Sequence, residues 1–166
     1  QRRGYEFEDL IAALFRTAHF NVKKSPKGAS PRQTDLIATR GSTAYLIETK
    51  WKEKPADVDD IDSIYARLDR LPPATVGILI SVNGFGGKAL EIVRNERRGG
   101  VVIPVNEDEL ARLLTEPTEL PQALARLHEQ LLVEGELDDS DYLLARRKRL
   151  AELKFAEAKV EFADVA

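Results

Sequence analysis

Cysteine is absent from this 166-residue chain, and histidine occurs only at His19 and His128. Without thiols there is no disulfide framework and no thiolate metal site. That usage fits a reducing cytoplasm, the expected location. Two histidines are too few for a multi-histidine zinc centre. No apolar run approaches the roughly 18–20 residues that a membrane span needs. No secretory signal pattern opens the chain, so no membrane partner is expected. The first residue is Gln1 rather than Met, as expected of a processed form or a piece of a longer protein.

What is present is the composition of a soluble folded protein, 43% hydrophobic and 32% charged. The length suits one domain of ordinary size with a small appendage. A net charge of -3 argues against a general nucleic-acid binder. The charge is unevenly spread, however. Residues 1–55 hold 11 Lys/Arg against 6 Asp/Glu, and residues 56–166 hold 14 against 22. Such asymmetry points to an anionic partner for the first part.

Periodicity orders the chain. Phe7, Leu10, Ile11, Leu14, Phe15 and Ala18 mark one face of a helix over about 5–18. The stretch HFNVKKSP is a short strand ended by Pro26, and KGASPR a basic loop. Gln33–Arg40 and Thr43–Trp51 read as two strands around Gly41-Ser42, a signal for a two-residue type II′ hairpin. Val58, Ile61, Ile64, Tyr65, Leu68 and Leu71 return to helical spacing until Pro72-Pro73. TVGILISV is apolar on both parities and reads as a strand buried on both faces. A loop and helix follow, then VVIPV, whose Pro104 marks an edge or strand end. Asn106 caps a short helix. Residues 115–121 read as a linker to two further amphipathic helices. The expected architecture is α/β, an αβββαβ core with a central mixed sheet flanked by helices. Its expected domains are 1–115 and a helical appendage, 116–166.

The hairpin makes a sharper prediction. Its opposed residues have numbers summing to 83, so Asp35 falls opposite Glu48, with Lys50 on the same face. Two opposed carboxylates repel, and a divalent cation neutralises them most readily. Oxygen ligands suit Mg²⁺, Mn²⁺ or Ca²⁺. For an arbitrary Asp and Glu, an exposed patch with a Lys–Glu pair is the commoner explanation. Here Ile37, Leu46, Ile47 and Trp51 surround them, which makes a solvated patch less natural. Glu8 borders the apolar face of the first helix, where it can reach a site beside the sheet. A plain helix-flank position near the N-terminal dipole explains it equally well. Lys23, Lys24, Lys27 and Arg32 cluster before Asp35, and Lys52 extends the patch; these are candidate phosphate contacts. DVDDID, Asp57 to Asp62, fails the calcium-loop pattern and reads as the acidic first turn of a helix. His19 reads as a helix-end residue, and Arg146–Arg149 as a solvated helix face.

Glu8 in GYEFEDLIAALF, TDLIA with Asp35, IETK with Glu48 and Lys50, and GILISVNGFGGKALEIVRN together resemble the PD-(D/E)xK nuclease superfamily. Within it, they resemble the Mrr-type restriction endonuclease catalytic domain, over about residues 3–110. Two features depart from the Mrr-type pattern: SPRQTD replaces a more glycine-bearing approach to the aspartate, and Glu48 stands where many members have Gln. The resemblance implies metal-dependent hydrolysis of phosphodiester bonds, most often in duplex DNA, within a prokaryotic restriction or defence system. It implies Mg²⁺, with Mn²⁺ as a substitute, held by Asp35, Glu48 and the Thr49 backbone carbonyl. Lys50 would act on the nucleophile and the phosphate charge, and Glu8 would orient a water or ligand. The tail from Leu124 to Leu153 resembles a SHOCT-type helical hairpin, which implies docking or homo-oligomerisation. Two other readings stand beside this one: an inactive module of the same fold that binds nucleic acid or protein, and a nuclease acting on RNA or branched DNA.

Overall fold

The computed structural model describes residues 2–24, 36–95 and 100–133. These lie in a compact unit, Gln1–Glu136. The second unit, Leu137–Ala166, lies outside the described residues, as do the Arg146–Arg149 run and the second tail helix. The order is α1 (Arg2–Thr17), β1 (Asn21–Lys24), β2 (Leu36–Arg40), β3 (Thr43–Lys50), α2 (Val58–Leu68), β4 (Val76–Ser81), α3 (Gly87–Asn95), β5 (Val102–Val105), α4 (Glu107–Thr115), a 3₁₀ turn (Pro117–Glu119) and α5 (Leu120–Val133).

The five strands form one sheet in the order β1-β2-β3-β4-β5. The first three are antiparallel neighbours, while β3, β4 and β5 are parallel. This is the expected mixed sheet. Every residue of β4 is buried, as its unbroken apolar run predicts for a central strand covered on both faces. Pro104 sits on the outer strand, β5, where a missing N–H is tolerated.

Side-chain alternation sorts the helices onto the two faces. Phe15 of α1 packs edge-on against Phe20, which packs edge-on against Tyr45. Tyr45 and Ile47 therefore face α1. Leu46, Glu48 and Lys50 have the opposite parity and face α2, whose Arg67 reaches Glu48. Gly77 lets α2 close on the sheet: a Cβ there would lie 2.9 Å from Leu68 Cδ1 and 3.1 Å from Val102 Cγ2.

α1 ends in a Schellman cap. Phe20 N–H donates to Phe15 O and His19 N–H to Arg16 O, each at 3.0 Å. His19 takes the left-handed position, φ 64°, which glycine usually fills. The capping geometry accounts for His19 as a helix-end residue. The second helix stops at Leu68, short of the prolines, with Asp69 as its C-cap. Residues 115–121, read as a linker, hold the end of α4, the 3₁₀ turn and the start of α5. The compact unit runs past the 115/116 boundary, and α5 packs on β5, burying Leu120, Ala123, Leu124 and Leu131.

Candidate active site

The hairpin places the site. Gly41 has φ 59° and Ser42 no positive φ, the pattern of a type II′ turn. The pairs run Arg40↔Thr43, Thr39↔Ala44, Ala38↔Tyr45, Ile37↔Leu46 and Leu36↔Ile47. Each sums to 83, the register that the turn predicts. The next pair would join Asp35 to Glu48, but Asp35 lies outside the described residues, with Lys27 and Arg32.

At the far end of β3, Glu48 and Lys50 are both buried, 5% and 9% exposed. Lys50 Nζ lies 2.6 Å from Glu48 Oε1. Arg67 Nη1 approaches Glu48 Oε2 at 3.4 Å. Among the described residues, neither Glu48 oxygen accepts a hydrogen bond of ordinary geometry beyond these ion pairs. A buried carboxylate in that condition is costly unless something more completes it.

Asp60 of α2 supplies a second carboxylate, 4% exposed. Its Oδ1 lies 3.0 Å from Lys50 Nζ and 2.7 Å from Lys52 Nζ. The sequence places Asp60 in the acidic first turn of a helix, and there it also completes a capping box: Asp57 caps α2 by accepting from Asp60 N–H, while Asp60 Oδ2 accepts from Asp57 N–H. A first-turn position does not reveal the contact with the lysines. The only available signal was the i, i+2 spacing of Lys50 and Lys52, which gives both lysines one face but names no partner.

The charges tune one another. Burial works against the ammonium of Lys50, but Glu48 and Asp60 outweigh it and hold the group above its ordinary pKa. Burial would likewise raise the Asp60 carboxyl. Lys52, Lys50 and the Asp57 N–H instead hold it below the usual carboxylate range.

The remaining candidates are spread around this centre. Glu8 is half-buried on α1, in the layer across the sheet from Lys50. Its neighbour Phe7 packs edge-on against Trp51, with centroids 5.2 Å apart, so its turn reaches the end of β3. Trp51 is 52% exposed and forms a rim rather than a buried wall. Lys23 is exposed on the outer strand β1, while Lys24 is ion-paired with Asp9. Among the described residues, no three acidic or histidine side chains gather as a metal cluster. No described helix is long and apolar enough to cross a membrane.

An αβββαβ core with a buried Glu-x-Lys pair at the end of its third strand is the arrangement of the PD-(D/E)xK nucleases. The chain belongs to the Mrr-type family among them: the profile of the Mrr_cat domain, described as a restriction endonuclease, matches residues 1–114. No curated protein matches the chain. Among solved structures, the fold is similar to that of the DNA modification-dependent restriction endonuclease AspBHI. The TM-score is 0.53 at 14% identity, over 78% of this chain and 37% of that one. The MspJI restriction endonuclease in complex with a 27-mer oligonucleotide gives a TM-score of 0.44 at 18% identity, over 73% of this chain and 31% of that one.

Proposed function

We propose that the chain is the catalytic domain of a Mg²⁺-dependent DNA endonuclease in a prokaryotic restriction system, one that cuts foreign, including viral, DNA. The observation that carries this reading is the buried Glu48–Lys50 pair at the end of β3 in a restriction endonuclease family member. The register through Leu36–Arg40 supports the remainder, because one more pair in it would bring Asp35 opposite Glu48.

The residues fit a cation. Both Glu48 oxygens are buried and, among the described residues, meet only the cations of Lys50 and Arg67 without hydrogen bonds of ordinary geometry. Asp35 and the Thr49 carbonyl would complete an all-oxygen set, which suits Mg²⁺, with Mn²⁺ as a substitute. When bound, the ion supplies an activated water and neutralises phosphate charge. Lys50, held beside Glu48 and Asp60, would position or activate the nucleophile and stabilise the phosphate charge. Glu8, whose turn of α1 reaches the end of β3, would orient a water or ligand there. Lys23, Lys27, Arg32 and Lys52 grip the DNA backbone without reading its sequence. Lys24 contributes less, since Asp9 already engages it.

Plasmid cleavage in Mg²⁺ tests the reading. Wild type cuts duplex DNA, while Asp35→Ala and Lys50→Ala bind it without cutting. A folded wild type that cuts no duplex, single-stranded or RNA substrate would sink the enzyme and leave an inactive binding module. Preference for RNA or branched DNA would move the substrate class.

A further inference from the structure

Asp60 belongs to a helix rather than to the strand that carries the Glu-x-Lys motif, and its geometry exceeds what a cap requires. Capping uses only Oδ2, which accepts from Asp57 N–H at 3.1 Å and also from Lys52 Nζ at 2.9 Å. The other oxygen, Oδ1, points at two ammonium groups, Lys50 at 3.0 Å and Lys52 at 2.7 Å. The Asp60 side chain is buried, whereas that of Lys52 is 46% exposed. One fixed carboxylate thus joins an interior lysine to a surface lysine two residues on.

We propose that Asp60 is a positioning residue for the cleavage reaction, holding Lys50 at the scissile phosphate and Lys52 at the adjoining backbone. The proposal rests on the nuclease reading above. Lys50 has two carboxylate partners, and that reading gives one of them, Glu48, to a cation. A cation drawing on Glu48 weakens the shortest contact of Lys50 and adds a like charge beside it. Asp60, the second partner at 3.0 Å, remains in place. The Asp57 backbone N–H, which holds its Oδ2, fixes it there, so the ammonium keeps both a counter-charge and a position. The arrangement separates two tasks that a single carboxylate would have to share: binding the ion and holding the lysine. It also explains why a helix N-terminus buries an acid there, since a cap alone works at the solvent edge. Outer groups of this kind typically change activity by about 10–100-fold when removed.

The test compares Asp60→Asn with Asp57→Ala on duplex plasmid in Mg²⁺. Asp60→Asn keeps an oxygen for the Asp57 N–H but loses the charge. Asp57→Ala removes the other half of the capping box and leaves Asp60 facing the lysines. The expected result for Asp60→Asn is a kcat lower by about 10–100-fold with KM within about threefold. Asp57→Ala, despite a lower thermal midpoint, keeps its kcat. If Asp60→Asn does not fold, Asp60→Glu replaces it; its longer arm keeps the charge, displaces both ammoniums and gives the same loss of kcat. Wild-type kcat in the Asp60 variant overturns the proposal, and so does an equal loss in Asp57→Ala. A wild type that cuts nothing removes the nuclease reading and this proposal with it, a result distinct from a wild type and an Asp60 variant that cut alike.

Discussion

Two charge clusters in this fold use similar residues for different ends. On α4, Glu109 pairs with Arg112 at 2.8 Å and with Arg126 of α5 at 3.2 Å. The two arginine side chains are 33% and 55% exposed. Under α2, Glu48, Lys50, Asp60 and Arg67 meet with side chains at most 19% exposed. The first cluster has a local explanation. Glu109 sits in the first turn of α4, one turn from Arg112, where its charge suits the helix dipole. The second has no such explanation, since removing charges from water costs more than their attraction commonly returns. A buried cluster of that cost at the end of a strand points to chemistry, and a surface cluster of the same residue types does not.

The comparison breaks most visibly at Lys50. Lys50→Ala leaves Glu48 and Asp60 buried with less counter-charge. It is expected to lower unfolding free energy by about 3 kcal/mol in urea titration. Cleavage of plasmid falls at least about hundredfold, from loss of the donor to the phosphate. Full stability in this variant would mean that the buried cluster is no more costly than the surface one.

Next in size is the turn that sets the register. Gly41→Val forces a β-branched residue to φ 59°, at a cost of roughly 1–2 kcal/mol, read from thermal melting. Relief of that strain by a one-residue slip would send Glu48 and Lys50 to the α1 face. Cleavage would then fall further than the stability loss explains.

That dependence on register shows what the sequence made legible. Gly41-Ser42 predicts the pairing, and the pairing fixes which face carries Glu48 and Lys50. Local chemistry sufficed there, as it did for the His19 helix end and the doubly buried β4. Asp60 and Arg67 were not legible as site residues, because helix packing over β3 brings them in and spacing along the chain does not encode it. Gly77, which permits that approach, looks in the sequence like any glycine in a strand. Trp51 misled for the opposite reason: an aromatic beside a buried lysine reads as interior, yet it follows the last strand residue and turns outward. Residues 115–121 looked like a linker because of their prolines, although Leu120 is buried and begins α5.

Acid and base separate the clusters further. The Asp60 carboxyl is depressed in the fold. Its stability contribution is therefore present above the ordinary value of about 3.9 and fades as pH falls through the lower, folded value. The Lys50 ammonium is raised, so its contribution is full below about 10.4 and fades as pH rises through the higher, folded value. The contribution of these two groups should be flat between these limits and fall on both sides. In Asp60→Asn the acid limb of the urea midpoint against pH becomes shallower. An unchanged acid limb would deny Asp60 its charged, paired state.

The smallest effect lies in the surface cluster and completes the contrast. A double-mutant cycle on Glu109→Ala and Arg112→Ala, read from urea unfolding, should give a coupling below about 1 kcal/mol at low salt. In 1 M salt the screening length is only about 3 Å, so an exposed pair should lose most of even that. The same cycle on Lys50 and Asp60 should keep most of its coupling, because little salt reaches a buried pair. Equal salt sensitivity in the two cycles would mean that solvent enters the β3 end freely, and the physical ground for treating that cluster as a site would be gone.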